Sequence, residues 1–383
     1  MDVAKTIFRF EHYSDLNIVE YSRYIFRGNV MTVSQRVTRS ILRRRQAIAG
    51  VIIGAGLSLN LAACGNSSNT SQSGTGQKKD VEITLVGYAV PKAAHDVIIR
   101  KFAAKWQQEQ NQKVTFKQTY GGSGSQTRAV IDGLPADIVH LAVGSDVDKL
   151  AQSSLVAPDW QKKLPNNAIV ARSVVAIVTR PGNPKQIKSF ADLARPDVKW
   201  VTANPKTSGG ARWNFLALWN SAIKAGGNEA KAAELVTNAF KNVVVQPKDA
   251  REATDAFAKQ GQGDALLNYE NETIFAKERG QALDYVVPDV NISIESPVAI
   301  VDKNVEKHGN REVVEAFARY MFSPESQAEF VKLGYRPAAT IADPRFPQVK
   351  TLTTIAEYGG WNAVQKKFFE DGGVYDKIEA GKK

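Results

Sequence analysis

From Val81 onward, short β-rich runs alternate with amphipathic runs of helical spacing, and this alternation restricts the fold more than any other feature of the chain. "VEITLVGY", starting at Val81, has the β-branched and apolar character of a strand. After it, from Ala94, apolar residues at Ile98, Phe102 and Trp106, with Ile99 and Ala103 beside them, form one helical stripe. "KVTFKQ" reads as a strand, "SGSQTRAVIDGL" as a helix opening at Ser123, "ADIVHLAV" as a buried strand and "DVDKLAQ" as the next helix. A second series follows "KKLPNN": strand "SVVAIVTR", short helix "KSFADLARP", strand "KWVTAN", then "ARWNFLALWNSAIKAGG" with Phe215, Leu218, Trp219, Ala222 and Ile223 on one face. Gly226 and Gly227 supply its stop. Strand "VVVQ", a further strand at "IESPVAIVDKNV" and helices from Arg311 and Pro324 continue the pattern. Such alternation predicts an α/β fold with parallel sheets. The strands beginning near Ser173 and near Pro297 are candidate crossovers between two lobes, and two open α/β sheets facing each other across a hinge enclose a small ligand.

At 383 residues the chain suits about two domains. With 43% hydrophobic and 23% charged residues it is neither disordered nor fibrous. The net charge of +11 invites a nucleic-acid reading, but the first 63 residues carry nine Lys/Arg against four Asp/Glu, and without them the charge is +6. That remainder is scattered, with no basic stripe interleaved with aromatics, which argues against a nucleic-acid partner. Much of the excess lies at Arg36, Arg39 and Arg43 to Arg45, ahead of "QAIAGVIIGAGLSLNLAAC". A basic stretch, a brief apolar run and small residues before a break describe a secretory signal, and the run is short of the roughly 20 apolar residues of a membrane span. Leu61-Ala62-Ala63-Cys64 looks like a bacterial lipobox, in which the Cys becomes the acylated first residue of the mature chain; a plain signal peptide with an incidental Cys64 is the alternative. Cys64 is the only cysteine, so no internal disulfide staples the protein. "RRRQAIAG" faintly suggests a twin-arginine signal, and Met31 is an alternative start. "GNSSNTSQSGTGQKKD" after Cys64 reads as a flexible tether.

Three strand-to-helix junctions stand out. "YGGSGSQTR" offers small residues with Ser123 as an N-cap; "NPKTSGGARWN" offers Ser208 as a cap and Gly209-Gly210 for close approach to the main chain; "KDAREATDAF" opens a helix at Ala250. Bare N–H groups at a helix start make an anion site that needs no cation, although each triplet also fits a plain turn or cap. Arg212 and Arg251 fall in first helical turns and are expected to pair with carboxylates.

Enzymatic readings find little support. "GGSGS" misses a nucleophile elbow because Ser125 stands at the second Gly position. His12, His95, His140 and His308 make no metal spacing, and His140 in "DIVHLAV" suits a core or strand-end position. No P-loop run is present. Neither a metal nor a cofactor is expected.

"YGGSGSQT", "NPKTSGGARWN", "GDALLNYENE", "IVDKNVEKHG", "YGGWNAVQKKFFEDGG" and "RPGNPKQIKSFADL" together resemble the periplasmic sulfate-binding proteins of ABC importers, over nearly all of Val81 to Ile378. The resemblance implies a two-lobed type II periplasmic binding fold that buries one dehydrated sulfate in its cleft, held by main-chain N–H groups, a serine hydroxyl and a ring donor. Carried over by motif position, Ser123 lies in the first ligand turn; Ser208, Gly209 and Gly210 form the second-lobe cradle; and Ala250 offers its N–H. Ala89 stands where the family usually has Asp, with a main-chain donor surviving, and Tyr269 stands where it usually has Trp, a phenol in place of an indole. A donor-only pocket suits unprotonated sulfate and leaves the O–H of hydrogen phosphate unpaired; Asp249 and Glu270, neighbours of the matched positions, are expected to turn away from it. Implied partners are sulfate or thiosulfate, the membrane permease of the importer, and the membrane through a lipid on Cys64; a periplasmic monomer is expected. Phosphate, molybdate and an ester hydrolase remain alternatives. The division implied is a signal region over 1–63, Cys64 and tether over 64–80, a first lobe over 81–171 plus 298–340, a second over 172–297, and a C-terminal segment over 341–383 packing on the lobes.

Overall fold

The computed structural model describes residues 78–337 and 343–381; the signal region, Met31, Cys64 and most of the tether lie outside them. In chain order the first series is β1 (Val81–Tyr88), α1 (Lys92–Gln110), β2 (Val114–Gly121), α2 (Ser123–Ile131), β3 (Ile138–His140), α3 (Gly144–Gln152) and β4 (Ile169–Ser173). The second is β5 (Val175–Thr179), β6 (Trp200–Val201), α4 (Gly209–Lys224), α5 (Glu229–Lys241), β7 (Val243–Val245), α6 (Ala250–Ala258), β8 (Ala265–Tyr269), α7 (Glu270–Glu278) and β9 (Asp284–Val286). The chain then returns through β10 (Val290–Ile292), β11 (Ile294–Ile300), α8 (Asp302–His308), α9 (Arg311–Tyr320) and α10 (Pro324–Lys332), and ends with β12 (Thr351–Thr353), α11 (Gly360–Val364) and α12 (Val374–Ala380).

Two five-stranded sheets result, ordered β2-β1-β3-β11-β4 and β7-β6-β8-β5-β9, with β10 and β12 pairing in a separate ribbon. The sheets are mixed, not purely parallel. β1 runs parallel to β2 and β3, and β6 to β7 and β8, whereas β11 and β5 are antiparallel to their neighbours. Parallel neighbours need a crossover helix, but β5 arrives straight from β4 through Val174, and β11 straight from β10 through Ser293. "SVVAIVTR" is therefore divided between the two sheets at Val174. The return crossing precedes Pro297, which sits inside β11 at a register shift after Ser296; a proline has no N–H to give the ladder.

The first core gathers Ile83, Leu85, Ile138 and Val139 under Ile98, Phe102 and Trp106 of α1, all buried. In the second, α4 is buried from Gly209 to Asn220 on every side rather than along one face. Several elements pack around it: Phe215 meets Phe240 of α5 and Phe368, Phe369 and Tyr375 of the C-terminal segment, and Trp213 meets Trp361 of α11. α4 stops at Lys224, and Gly226 takes the left-handed conformation (φ 84°).

Candidate functional site

Six chain segments that follow strands converge on one recess. Tyr88, Ala89 and Val90 come from the turn after β1; Gly121, Gly122 and Ser123 from the start of α2; and Ala142 from the end of β3. Ser208, Gly209 and Gly210 come from the start of α4, Asp249 and Ala250 from the start of α6, and Tyr269 from the end of β8. The structure thus brings Ala89, Ser123, Ser208, Gly209, Gly210, Ala250 and Tyr269 together. The recess is a cavity of about 10 Å³, far below the roughly 300–1,000 Å³ of organic-ligand pockets. Its size excludes an ordinary organic ligand.

Helices α2, α4 and α6 each aim their first turn at this space, and a helix cannot satisfy its own first N–H groups. Ser208 caps α4, its Oγ accepting from the Ala211 N–H at 3.4 Å, which leaves the hydroxyl proton free to donate. Asp249 caps α6, its carboxylate accepting from the Glu252 N–H at 2.9 Å. Ser123 does not cap α2. Gly122 holds that position in extended conformation, and the Ser123 hydroxyl instead donates to Asp146 (2.8 Å) and accepts from the Ala142 N–H (3.0 Å). The α2 amides of Gly124 and Ser125 are taken by the Thr207 carbonyl of the second lobe, at 3.0 and 3.4 Å. Thr207 is itself fixed, its hydroxyl donating to the Lys248 carbonyl at 2.7 Å.

The two cradle glycines are required by close approach. A Cβ on Gly209 would lie 2.7 Å from the Ala142 methyl, and one on Gly210 would lie 2.6 Å from the Tyr269 ring and 2.9 Å from its hydroxyl. The Tyr269 ring is 2% exposed and its hydroxyl has no hydrogen-bond partner in the protein. Burial pushes its pKa well above the ordinary phenol value, so the group stays protonated and donates.

Cations near the recess are already neutralised. Arg212 donates to Asp146 at 2.7 Å and to the Pro205 carbonyl at 3.0 Å, with both side chains of the ion pair buried. Burial alone would raise the Asp146 carboxyl; the Arg212 guanidinium and Lys149 reverse this and hold it below the usual carboxylate range. Arg251 donates to Glu272 at 2.9 Å and to the Val90 carbonyl at 3.2 Å, and burial still lifts Glu272 to about 7. Arg336 grips Glu270 with two hydrogen bonds, of 2.6 and 2.8 Å, turning that carboxylate away from the recess. Both Arg212 and Arg251 therefore pair with carboxylates, as their positions suggested.

Ser123 donates to the Asp146 carboxylate, which Arg212 and Lys149 hold below the usual range, a weak base for activating a serine nucleophile. His140 sits fully buried at the end of β3, its Nδ1 bonded to His95 Nε2 at 2.9 Å, while His95 Nδ1 meets the Tyr120 hydroxyl at 2.9 Å. His308 pairs with Asp137 elsewhere in the first lobe. Among the described residues no cluster of three or more His, Cys, Asp or Glu side chains could hold a metal ion. Asp146, Ala142 and Thr207 were not singled out from the sequence; their roles arise from pairings across the fold, and only the strand-to-helix setting of "LAVGSDVD" hinted at them.

Known proteins are similar to this chain. The model of the bacterial extracellular solute-binding protein family matches residues 84–336. A sulfate-binding protein of Synechococcus elongatus is 52% identical over 341 residues, which cover 88% of this chain and 97% of that protein. A thiosulfate-binding protein of Pseudomonas aeruginosa is 40% identical over 301 residues, covering 76% of this chain and 90% of its own. Among solved structures, the sulfate-binding protein SubI of Mycobacterium tuberculosis superposes with a TM-score of 0.68 at 34% identity, covering 76% of this chain and 99% of that one. The architecture is the two-lobed type II periplasmic binding fold, and the chain belongs to the bacterial extracellular solute-binding proteins, within the family of the sulfate-binding proteins.

Proposed function

We propose that the recess binds one sulfate dianion and that the protein delivers it to the membrane permease of an ABC importer. The observation that carries this reading is the convergence of three helix N-termini and the unpartnered Tyr269 hydroxyl on one small recess whose neighbouring arginines are already paired. In this reading the ligand takes main-chain donors at Ala89, Ser123, Gly209, Gly210 and Ala250, the hydroxyl of Ser208 and the phenol of Tyr269. Each hydrogen bond to a charged ligand contributes about 1.5–3 kcal/mol and each helix N-terminus about 0.3–1 kcal/mol. Several together reach the roughly −8 kcal/mol of a micromolar complex after the cost of association. The names of the sulfate-binding relatives support the same ligand, and those of the thiosulfate-binding relatives support thiosulfate as the second reading.

The protein acts as a receptor rather than an ester hydrolase, since the Ser123 hydroxyl donates to Asp146, a carboxylate that Arg212 and Lys149 hold below the usual range and so make a weak base. It works outside the cytoplasmic membrane as a monomer, with Cys64 acylated and the polar stretch after it as the tether. Calorimetric titration with sulfate, thiosulfate, phosphate and molybdate tests the proposal. Sulfate is expected to bind at least about fivefold more tightly than phosphate, because with the Asp249 carboxylate turned to cap α6 the phosphate O–H is left without an acceptor, at a cost of about 1–3 kcal/mol. Equal affinities would contradict it. Release of the protein from membranes by Cys64→Ala tests the anchor.

A further inference from the structure

The C-terminal segment is fastened to the second lobe. Lys206 reaches Asp376 at 2.9 Å, the Tyr375 hydroxyl donates to Gln246 at 2.9 Å, and the Tyr358 hydroxyl donates to Asn220 at 2.9 Å. From this segment Trp361, in α11, reaches across to the first lobe. A Cβ on Gly144, the first residue of α3, would lie 2.8 Å from Trp361 Cδ1, so the indole rests directly on the Gly144 α-carbon. Gly144 does not sit in the left-handed region, and its backbone would accept any residue. Contact with the indole is the reason it is small.

The same indole meets Trp213 of α4 edge to face, with centroids 4.6 Å apart and planes at 79°. Trp213 is fully buried, and its ring N–H donates to the Ala142 carbonyl at 2.8 Å. Ala142 is both a wall of the recess and the residue against which Gly209 packs. A continuous contact thus runs from Trp361, through Trp213, to the seam where the two lobes meet around the ligand space.

We infer that Trp361 is a positioning residue for ligand retention: its indole docks on Gly144 when the lobes close, holds Trp213 against the Ala142 carbonyl, and slows release of the bound anion. This rests on the reading of the recess as a sulfate site. A contact made only in the closed form biases the closed state without touching the ligand. Its loss therefore appears in the dissociation rate, while the association rate, set by the open form, stays nearly constant.

Stopped-flow kinetics of sulfate binding and release on the full chain tests this, using wild type, Trp361→Ala, Trp361→Phe, Gly144→Ala and the double variant Gly144→Ala/Trp361→Ala. Trp361→Ala is expected to raise the dissociation rate about tenfold, equivalent to about 1.4 kcal/mol, with association changed less than twofold. Trp361→Phe is expected to restore part of the retention. Gly144→Ala, which drives a methyl into the indole, is expected to speed release with Trp361 present and to add nothing once Trp361 is gone, because the two changes remove one contact. Unchanged release in the single variants, or fully additive effects in the double variant, would overturn the inference. A wild type that binds none of sulfate, thiosulfate, phosphate or molybdate would sink the site reading as well; a wild type that binds while its variants release at the same rate sinks only the role of Trp361.

Discussion

The α2 and α4 junctions are built from nearly the same materials, serine and glycine after a strand, yet they do different work. At α4 the helix is capped by its own Ser208, and the amides of Gly209 and Gly210 stay open to the recess. At α2 two of the first amides are taken by Thr207 of the opposite lobe, and Ser123 is tied to Asp146, which holds Arg212 of α4. One junction presents donors to a ligand; the other mostly fastens the lobes together. An N-terminal turn rich in small residues is thus a supply of donors whose use depends on what the fold brings opposite.

The largest expected effect lies on the fastening side. Asp146→Ala leaves the Arg212 charge buried and unpaired, so unfolding by denaturant should show a loss of about 3–5 kcal/mol; a loss below about 1 kcal/mol would remove the pair from the account. On the presenting side, Gly209→Val places a branched side chain where even a Cβ meets Ala142 at 2.7 Å. Calorimetry should find sulfate affinity down at least ~100-fold, about 2.7 kcal/mol, and retained affinity would put the cradle elsewhere. Tyr269→Phe keeps the ring against Gly210 and removes the unpartnered hydroxyl, so affinity should fall by about 1.5–3 kcal/mol with little change in melting temperature. Ser208→Ala removes one donor, so calorimetry should find affinity down by about 1.5–3 kcal/mol, and it removes a weak cap, so denaturant unfolding should show a loss of about 1 kcal/mol.

How much of this contrast could be read in advance follows from the range of the interactions. Strand β1 and helices α9 and α10 begin where their local pattern says, at Val81, Arg311 and Pro324, since periodicity and capping are carried within a few residues. The recess-lining residues of α4 and α6 were legible for the same reason. Ser123 as a cap was not, because Asp146, 23 residues further on, competes for its hydroxyl and Gly122 suits the capping conformation. Arg212 called for a carboxylate, but its partner lies 66 residues away in the other lobe, and no local pattern names it. Strands β5 and β11 were legible as strands, but their antiparallel direction was not, because direction is set by how the chain crosses between sheets, not by what a strand is made of.

The smallest expected effect concerns a buried pair outside the recess. Burial, with Lys92 nearby, lowers the His95 pKa to about 3, and burial with His95 lowers that of His140. The folded protein therefore stays neutral at these rings where the unfolded chain takes up protons. The stability they contribute is complete above an unfolded value near 6.5 and is lost as pH falls toward about 3. Glu272, lifted to about 7 by burial, works in the opposite direction over the upper part of that window. Comparing wild type with His95→Gln isolates the histidines: the wild-type melting temperature should fall more steeply between pH 6.5 and 5, and parallel curves would refute the assignment.

The most direct measurement is a crystal structure of the protein loaded with sulfate. The oxygens of the anion should lie within hydrogen-bond distance of the Ala89, Ser123, Gly209, Gly210 and Ala250 amides, the Ser208 hydroxyl and the Tyr269 phenol, with Arg212 still bonded to Asp146. A sulfate whose nearest neighbours are lysine or arginine nitrogens, or one bound away from the α4 cradle, would contradict the account.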